Sequence, residues 1–342
     1  MNKTWQAWVE KNQGYIGTEN RLEFPDVFRQ VAAVRDGNAL AMLDSFSIIR
    51  IEGEDAETFL QGQLSGDIRD VADGAARFST YSTAKGRMLA SFLIWKQQSA
   101  YYLIVASDIC QAVAKRLAMF VMRSRVKVNV LDSEQTSIAG VRGAQVQALI
   151  EQYFAAEAPV ALTVLQGGTE TAIALPEGGY LLQLDEGSAL LPTLLAEEAT
   201  AVSSMAWNIR DIDAGIAWVA QATQEQFVPQ MANMELIGAV SFKKGCYPGQ
   251  EIVARTQYLG KLKRRLFKAR LSSFAAVGSK LFSPEVPEQS IGMIAAICPV
   301  AEGEYETLVV VQSACWEKGI YLEAEYLHQL VCLTLPYVTQ DE

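Results

Sequence analysis

The chain has 342 residues, half of them apolar and a fifth charged, with a formal net charge of −10. That length suits two or three domains with a sizeable core, and the acidic balance argues against a surface wholly given over to nucleic acid. His328 is the single histidine, which argues against a Ser-His-Asp triad and a multi-histidine metal site. The five cysteines (Cys110, Cys246, Cys298, Cys315, Cys332) form no Cys-x-x-Cys pair, so no metal site is expected and free thiols in a reducing compartment are. The N-terminus has no signal-peptide core and no run reaches the roughly 20 apolar residues of a bilayer span. The expected location is cytoplasmic.

Residues 1–35 read as a helical or extended lead-in. Ala39–Met42 and Phe46–Ile51 alternate like strands around the turn Asp44-Ser45. A helix is expected from Gly53-Glu54-Asp55 through Leu64, with Asp55 as its cap and Phe59, Leu60 and Leu64 on the buried face. Strands follow at Ala75–Ser82, Arg87–Trp95 and Tyr101–Ala106, then a helix at Asp108–Phe120 and a strand at Arg125–Val130. A similar order recurs: strand Thr136–Val141, helix Gln145–Phe154, strands Val160–Val164, Thr171–Leu175 and Tyr180–Leu184, and helix Leu190–Glu198. No repeat is visible at the level of residues. From Leu262 onward short β-type runs take over, at Arg265–Leu271, Ile291–Ile297, Thr307–Val311, Tyr321–Glu323 and Leu330–Leu335. Punctuated by Gly and Pro, they suggest a small antiparallel barrel. The class is α+β with hairpins between helices, unlike a repeated βαβ crossover.

The densest cluster of special residues runs from Ser241 to Gln257. Lys243 and Lys244 lead into Gly245-Cys246-Tyr247-Pro248-Gly249, and Gln250–Gln257 contains no helix breaker. Proline suits a first helical turn, so Tyr247/Pro248 is read as the start of a short helix with Cys246 just outside it. A helix N-terminus and two ammonium groups would favour a thiolate there. The alternative is a small buried thiol in a glycine-shaped turn.

Lys244-Gly245-Cys246-Tyr247-Pro248-Gly249-Gln250-Glu251 resembles the K-G-C-Y-x-G-Q-E signature of the YgfZ family, folate-binding proteins related to the aminomethyltransferase (T-protein) of glycine cleavage. Further matching pieces are Leu43-Asp44, Gln61-Gly62-Gln63, Ala84-Lys85-Gly86-Arg87-Met88, Asp213-Ala214-Gly215, Phe227-x-Pro229-Gln230 and Leu335-Pro336-Tyr337. The resemblance spans about Leu43 to Tyr337. It implies two α+β (ferredoxin-like, split) domains and a C-terminal antiparallel β-barrel, arranged as a ring around a hole that admits folate. On this chain the domains would be 1–131, 132–260 and 261–342, the first two able to interleave.

The resemblance further implies an aromatic pair for tetrahydrofolate or a derivative: Phe46, where the family usually has Trp, and Trp207. Aromatic packing adds about 0.5–1.5 kcal/mol per pair beyond area burial. Where the glycine-cleavage relatives carry an aspartate pair that activates the folate nitrogen, this chain has Ala90 and Ser91. Neither replaces a carboxylate in acid–base work. The implied function is therefore support of iron–sulfur cluster assembly or repair, and thereby of tRNA modification, with Cys246 as the functional residue and iron–sulfur enzymes as partners. The alternative is a folate-dependent aminomethyl transferase.

Two basic stretches stand out against the acidic total. One holds Lys261, Lys263, Arg264, Arg265, Lys268 and Arg270; the other, looser, holds Lys115, Arg116, Arg123, Arg125 and Lys127. They read either as solvated faces or as a collar for an anionic partner such as a polyglutamate tail. Direct nucleic-acid binding is not expected unless such patches coalesce.

Overall fold

In the computed structural model, residues 3–338 are described apart from 18, 19, 73, 259, 261 and 288. The chain runs α1 (Lys3–Lys11), β1 (Tyr15–Ile16), β2 (Leu22–Glu23), α2 (Val27–Asp36), β3 (Ala39–Met42), β4 (Phe46–Glu52), α3 (Ala56–Gln61), β5 (Arg77–Ser82), β6 (Met88–Gln97), β7 (Ala100–Ala106), α4 (Ser107–Met119) and β8 (Lys127–Val130). It continues with β9 (Thr136–Arg142), α5 (Ala144–Tyr153), β10 (Val164–Gly167), β11 (Glu170–Ala174), β12 (Tyr180–Asp185), α6 (Leu190–Ala196), β13 (Thr200–Val202) and α7 (Ser204–Asp213). The last third carries α8 (Gln250–Tyr258), β14 (Arg264–Leu271), β15 (Lys280–Leu281), β16 (Gly292–Ala301), β17 (Glu304–Gln312) and β18 (Val331–Leu333).

The fold is a mixed α+β arrangement, and the chain divides into two compact units that interleave along the sequence. The first takes Met1–Ala56, Arg69–Arg77 and Leu93–Arg210; the second takes Glu57–Ile68, Phe78–Phe92 and Asp211–Glu342.

The larger sheet of the first unit has the order β10-β11-β12-β9-β3-β13. Helix α1 lies in its core because Trp5 and Trp8, a helical turn apart, both point inward. Their rings meet edge to face at 5.3 Å, and Trp8 meets Phe24 at 5.4 Å. Burying the Trp5 indole requires a partner for its N–H, which it finds in Ser137 Oγ at 2.9 Å. With Leu40, Val141, Val146, Ile150, Leu182 and Leu194 these side chains make one apolar cluster.

The other mixed-chain sheet has the order β5-β6-β7-β4-β8. Its elements follow the plan strand, helix, three strands, helix, strand, and so does the run β9-α5-β10-β11-β12-α6-β13. The strand orders also agree, except that β3 is inserted between β9 and the last strand. That insertion makes the β13–β3 pair parallel, whereas β8 pairs antiparallel with β4 directly. The element order seen in the sequence therefore repeats as a topology.

In the second unit, the C-terminal sheet β15-β16-β17-β14-β18 is antiparallel throughout and half-barrel-like. Register shifts at Ile294/Ala296 and Pro299/Ala301 bend β16, as bulges do. Tyr321 bridges to Phe282 beside one end of the sheet and to Gln329 beside the other. Leu271, Leu281, Ile294, Val309, Val311 and Ile320 fill the interior.

Four expectations change. Helix α3 stops at Gln61 rather than Leu64, at Gly62, a poor helix former. Asp55 does not cap that helix; its Oδ2 accepts the Arg125 backbone N–H at 2.7 Å. The strand expected at Val160–Val164 begins only at Val164, because Leu162 takes φ +67°, which breaks an extended run. Tyr321–Glu323 is a bridge at Tyr321 and not a strand. No helix among the described residues is long and apolar enough to cross a membrane.

Candidate functional site

Within the second unit the signature loop is the point to which three of the matching pieces converge. Its backbone enters from Ser241, whose N–H bonds the Ser65 carbonyl at 2.9 Å. Ser65 itself bonds Thr80 Oγ1 (2.7 Å) and the Ala239 carbonyl (2.8 Å). Lys244 is 6% exposed, and its ammonium donates to the carbonyls of Leu64 (2.6 Å) and Gly66 (2.8 Å). It also lies 5.3 Å from the centre of the Tyr247 ring, a cation–π contact that offsets part of its desolvation. Lys244 is thus turned into the protein and tied to the segment after Gln61-Gly62-Gln63.

The signature helix α8 starts at Gln250, not at Tyr247/Pro248 as the proline suggested. Gly249 has φ +82°, and a Cβ built there would lie 2.5 Å from the Thr83 carbonyl oxygen and 2.6 Å from Gly86 Cα. A left-handed residue cannot belong to a right-handed helix, so Gly249 marks the last position before it. Gln250 Nε2 reaches back to the Lys244 carbonyl at 3.4 Å, and Val253 N–H bonds Gly249 O at 3.1 Å. Glu251 is exposed on the first turn. Gly86 belongs to the Ala84–Met88 turn, so that turn packs directly on the signature. The next strand is fastened by Met88 N–H to Phe227 O (2.8 Å) and by Gln224 Nε2 to Leu89 O (2.7 Å).

Gly245 differs from Gly249. It does not take a positive φ, and a Cβ built on it would meet nothing within 4 Å. Beside it, Cys246 is exposed, four residues before the helix and held on a braced loop. Gly249→Ala is therefore expected to cost about 2 kcal/mol or more through backbone overlap and a forbidden φ. Gly245→Ala should lie within about 0.5 kcal/mol of wild type. Urea unfolding of the two variants checks the contrast.

A second set of ties fastens the remaining pieces. Gln230 Nε2 bonds the Val253 carbonyl (2.7 Å), and Asn233 Nδ2 bonds the Leu266 carbonyl (3.0 Å). Tyr337 donates to the Gly215 carbonyl at 2.7 Å, and a Cβ on Gly215 would come within 2.7 Å of its ring. The basic stretch after α8 is largely spent on carboxylates. Arg265 pairs with Glu235, Lys268 with Asp213 (2.6 Å) and Glu306 (3.0 Å), and Arg270 with Glu306 (3.2 Å). Lys261 lies outside the described residues. Ala90 is buried, and Ser91 Oγ accepts the Val219 N–H at 2.9 Å, so neither position offers an ionisable group.

Burial pushes the hydroxyls of Tyr247 and Tyr337 up to about 12. Unfolded, each would ionise near 10. Both therefore contribute stability that is fully present below pH 10 and is lost between pH 10 and 12, at roughly 1.4 kcal/mol per pH unit for each. The Tyr247 hydroxyl has no hydrogen-bond partner among the described residues. Tyr247→Phe should therefore flatten the alkaline loss at little cost near neutrality, whereas Tyr337→Phe gives up its bond to Gly215. Urea midpoints from pH 8 to 12 check both.

The proposed aromatic pair belongs to the first unit. Asp44, from the Leu43-Asp44 piece, accepts Leu22 N–H (2.7 Å) and Ser204 Oγ–H (2.6 Å), which joins the start of β4 to the start of α7. Phe46 follows at the head of β4 and is only partly buried. Trp207 on α7 is 2% exposed. A Cβ on Gly140 of β9 would fall 2.6 Å from its six-membered ring, so glycine there is what lets the indole close over the sheet. Among the described residues no group of three or more His, Cys, Asp or Glu side chains could hold a metal ion.

Comparison with known proteins gives a consistent picture. A profile described as the GCVT N-terminal domain matches residues 5–166. The tRNA-modifying protein YgfZ of Escherichia coli O157:H7 (strain EC4115 / EHEC) is 27% identical over 323 residues, covering 91% of this chain and 96% of the relative. The protein of that name from Escherichia coli K12 (strain DH10B) is 26% identical with the same coverage. Among solved structures, the glycine cleavage system aminomethyltransferase T from Bartonella henselae superposes with a TM-score of 0.81 over 99% of this chain and 98% of that one, at 17% identity. That likeness establishes the shared fold.

Proposed function

We propose, for a chain that belongs to the YgfZ family and is related to the T-protein of glycine cleavage, a folate-binding role in tRNA modification. It acts by supporting the assembly or repair of the iron–sulfur enzymes that carry out the modification. The observation that carries this reading is Cys246, an exposed thiol on a loop that buried contacts brace on both sides. Such placement suits a group that must meet a partner's sulfur or iron without unfolding its support. Its relatives' name supports the link to tRNA.

Tetrahydrofolate or a derivative is the proposed cofactor, within the ring of three domains (1–131, 132–260, 261–342) that the family resemblance implies. Phe46 fits the task, since it is only partly buried at the head of β4. Trp207, 2% exposed and packed on β9 at Gly140, is the second proposed aromatic contact. Aminomethyl transfer is disfavoured, because Ala90 is an apolar core residue and Ser91 Oγ is committed to the backbone of Val219. Without a carboxylate at these positions the folate nitrogen lacks an acid–base partner.

The test is complementation of an Escherichia coli strain lacking its YgfZ, read as the level of tRNA modifications made by iron–sulfur enzymes. Wild type should restore them and Cys246→Ala should not, while its urea midpoint stays at wild type. Full restoration by Cys246→Ala would remove the thiol from the mechanism. Tetrahydrofolate titration followed by tryptophan fluorescence should show about tenfold weaker binding for Phe46→Ala, in line with the loss of one stacked ring.

A further inference from the structure

We propose that the turn joining α4 to β8 in the first unit is a contact surface for a single-stranded segment of RNA; the choice of RNA rests on the tRNA-modification reading above.

Helix α4 spends its apolar face inside the protein, through Ile109, Cys110, Val113, Ala114 and Leu117. The next apolar residues fall outside that pattern and face water: Met119 is 62% exposed, Phe120 44% and Met122 87%. Met122 takes φ +46°, a conformation a bulky residue adopts only when its surroundings impose it. Three neighbouring large apolar side chains held out in this way mark a contact surface and not a core that failed to close.

Cations flank the apolar tip on both sides. From Lys115 to Lys127 the chain carries Lys115, Arg116, Arg123, Arg125 and Lys127 and no acid, in a protein whose total charge is −10. Arg125 is committed to Glu54 and Asp55, and Lys127 faces Glu52 across the β4–β8 pair. Lys115, Arg116 and Arg123 carry the remaining charge. A helix C-terminus attracts cations by itself, which would account for Arg116, but it gives no reason for Met119, Phe120 and Met122 to be exposed or for Arg123 beyond them.

The order cation, apolar surface with one aromatic ring, cation matches a nucleic-acid strand, whose phosphates alternate with flat base faces. Arg116 and Arg123 would take phosphates, and Phe120 and Met122 an unstacked base. Single-stranded loops are where RNA presents such bases. The acidic total of the chain would keep the rest of the surface off the RNA and make the contact local.

The test uses the intact protein and an unmodified tRNA transcript, with binding read by fluorescence anisotropy at 50 and 200 mM salt. Wild type should bind with a clear salt dependence. Arg116→Glu combined with Arg123→Glu should weaken binding at least tenfold and reduce the salt slope by about 0.7 for each phosphate that is no longer neutralised. Phe120→Ser should weaken it several-fold with the slope unchanged. Thermal unfolding of each variant at the wild-type midpoint keeps these losses from being folding defects. Absence of tRNA binding by wild type, or equal binding by the charge-reversed variant, would overturn the proposal. So would a surface that ignores tRNA but captures phosphatidylglycerol vesicles in an Arg123-dependent way. None of these failures touches the Cys246 complementation result, which stands or falls separately.

Discussion

Glu235→Ala is expected to destabilise the second unit by about 4 kcal/mol, the cost of leaving a buried charge without its partner. The Arg265 guanidinium and the Glu235 carboxylate form a salt bridge in which both side chains are 8% exposed. The same guanidinium nitrogen also donates to the Gln230 carbonyl (3.1 Å) and to Asn233 Oδ1 (3.4 Å). Removing the carboxylate leaves a guanidinium that cannot shed its proton and that water does not reach. The cost therefore exceeds the value of the pair itself, because the pair's own desolvation roughly offsets its attraction. Arg265→Met combined with Glu235→Leu should recover only part of the loss, because the pair's desolvation is removed but the buried Asn233 Oδ1 loses its donor. Urea unfolding measures this as a fall in midpoint for Glu235→Ala at unchanged slope and a return towards wild type in the double variant. A single variant within about 1 kcal/mol of wild type would mean that water enters the site.

The position of this pair also shows what the sequence could not disclose. Strand alternation and turn residues made most strands legible, and β3 was read at its observed bounds. Helix α7 was not read in the sequence, where the polar residues Asn208, Arg210, Asp211 and Asp213 fall among its apolar ones; two of them, Arg210 and Asp211, are nonetheless buried in the fold. The repeated topology of the two sheets is equally hidden, since it lies in pairing and not in residue similarity. In the candidate site, the motif pieces and the identity of Cys246 could be read directly. The partners of the basic stretch could not. Arg265, Lys268 and Arg270 meet Glu235, Asp213 and Glu306 at separations of 30, 55 and 36 residues, so a run that looks like a positive collar is mostly neutralised in the fold. The register of β14 with β17, where Arg270 faces Glu306, is the signal that would have revealed one of these pairs.

Lys244 makes the same point at the signature itself, and its replacement is the second large effect expected. Two adjacent lysines in a loop look like a solvated pair, and the thiol next to them suggests that both serve it. The structure separates their roles: Lys243 is exposed, while Lys244 is buried and gives its ammonium to Leu64 and Gly66. Lys244→Met keeps the aliphatic length but leaves two buried carbonyls without a donor and the Tyr247 ring without its cation. Hydrogen bonds from charged donors contribute about 1.5–3 kcal/mol, so a loss of about 3 kcal/mol is expected. Lys244→Arg should recover little of it, because a planar guanidinium does not fit a site shaped for a compact ammonium. The loosening should be local as well as global. Hydrogen exchange at the Ser241 and Gln250 amides, which bond Ser65 O and Tyr247 O, should accelerate well beyond that of amides in β14 and β17. If the loop serves mainly to hold Cys246, Lys244→Met should also fail the complementation test with its thiol intact, as Cys246→Ala fails it with its stability intact. A Lys244→Met protein that keeps wild-type exchange at those two amides would show that the brace lies elsewhere in the loop.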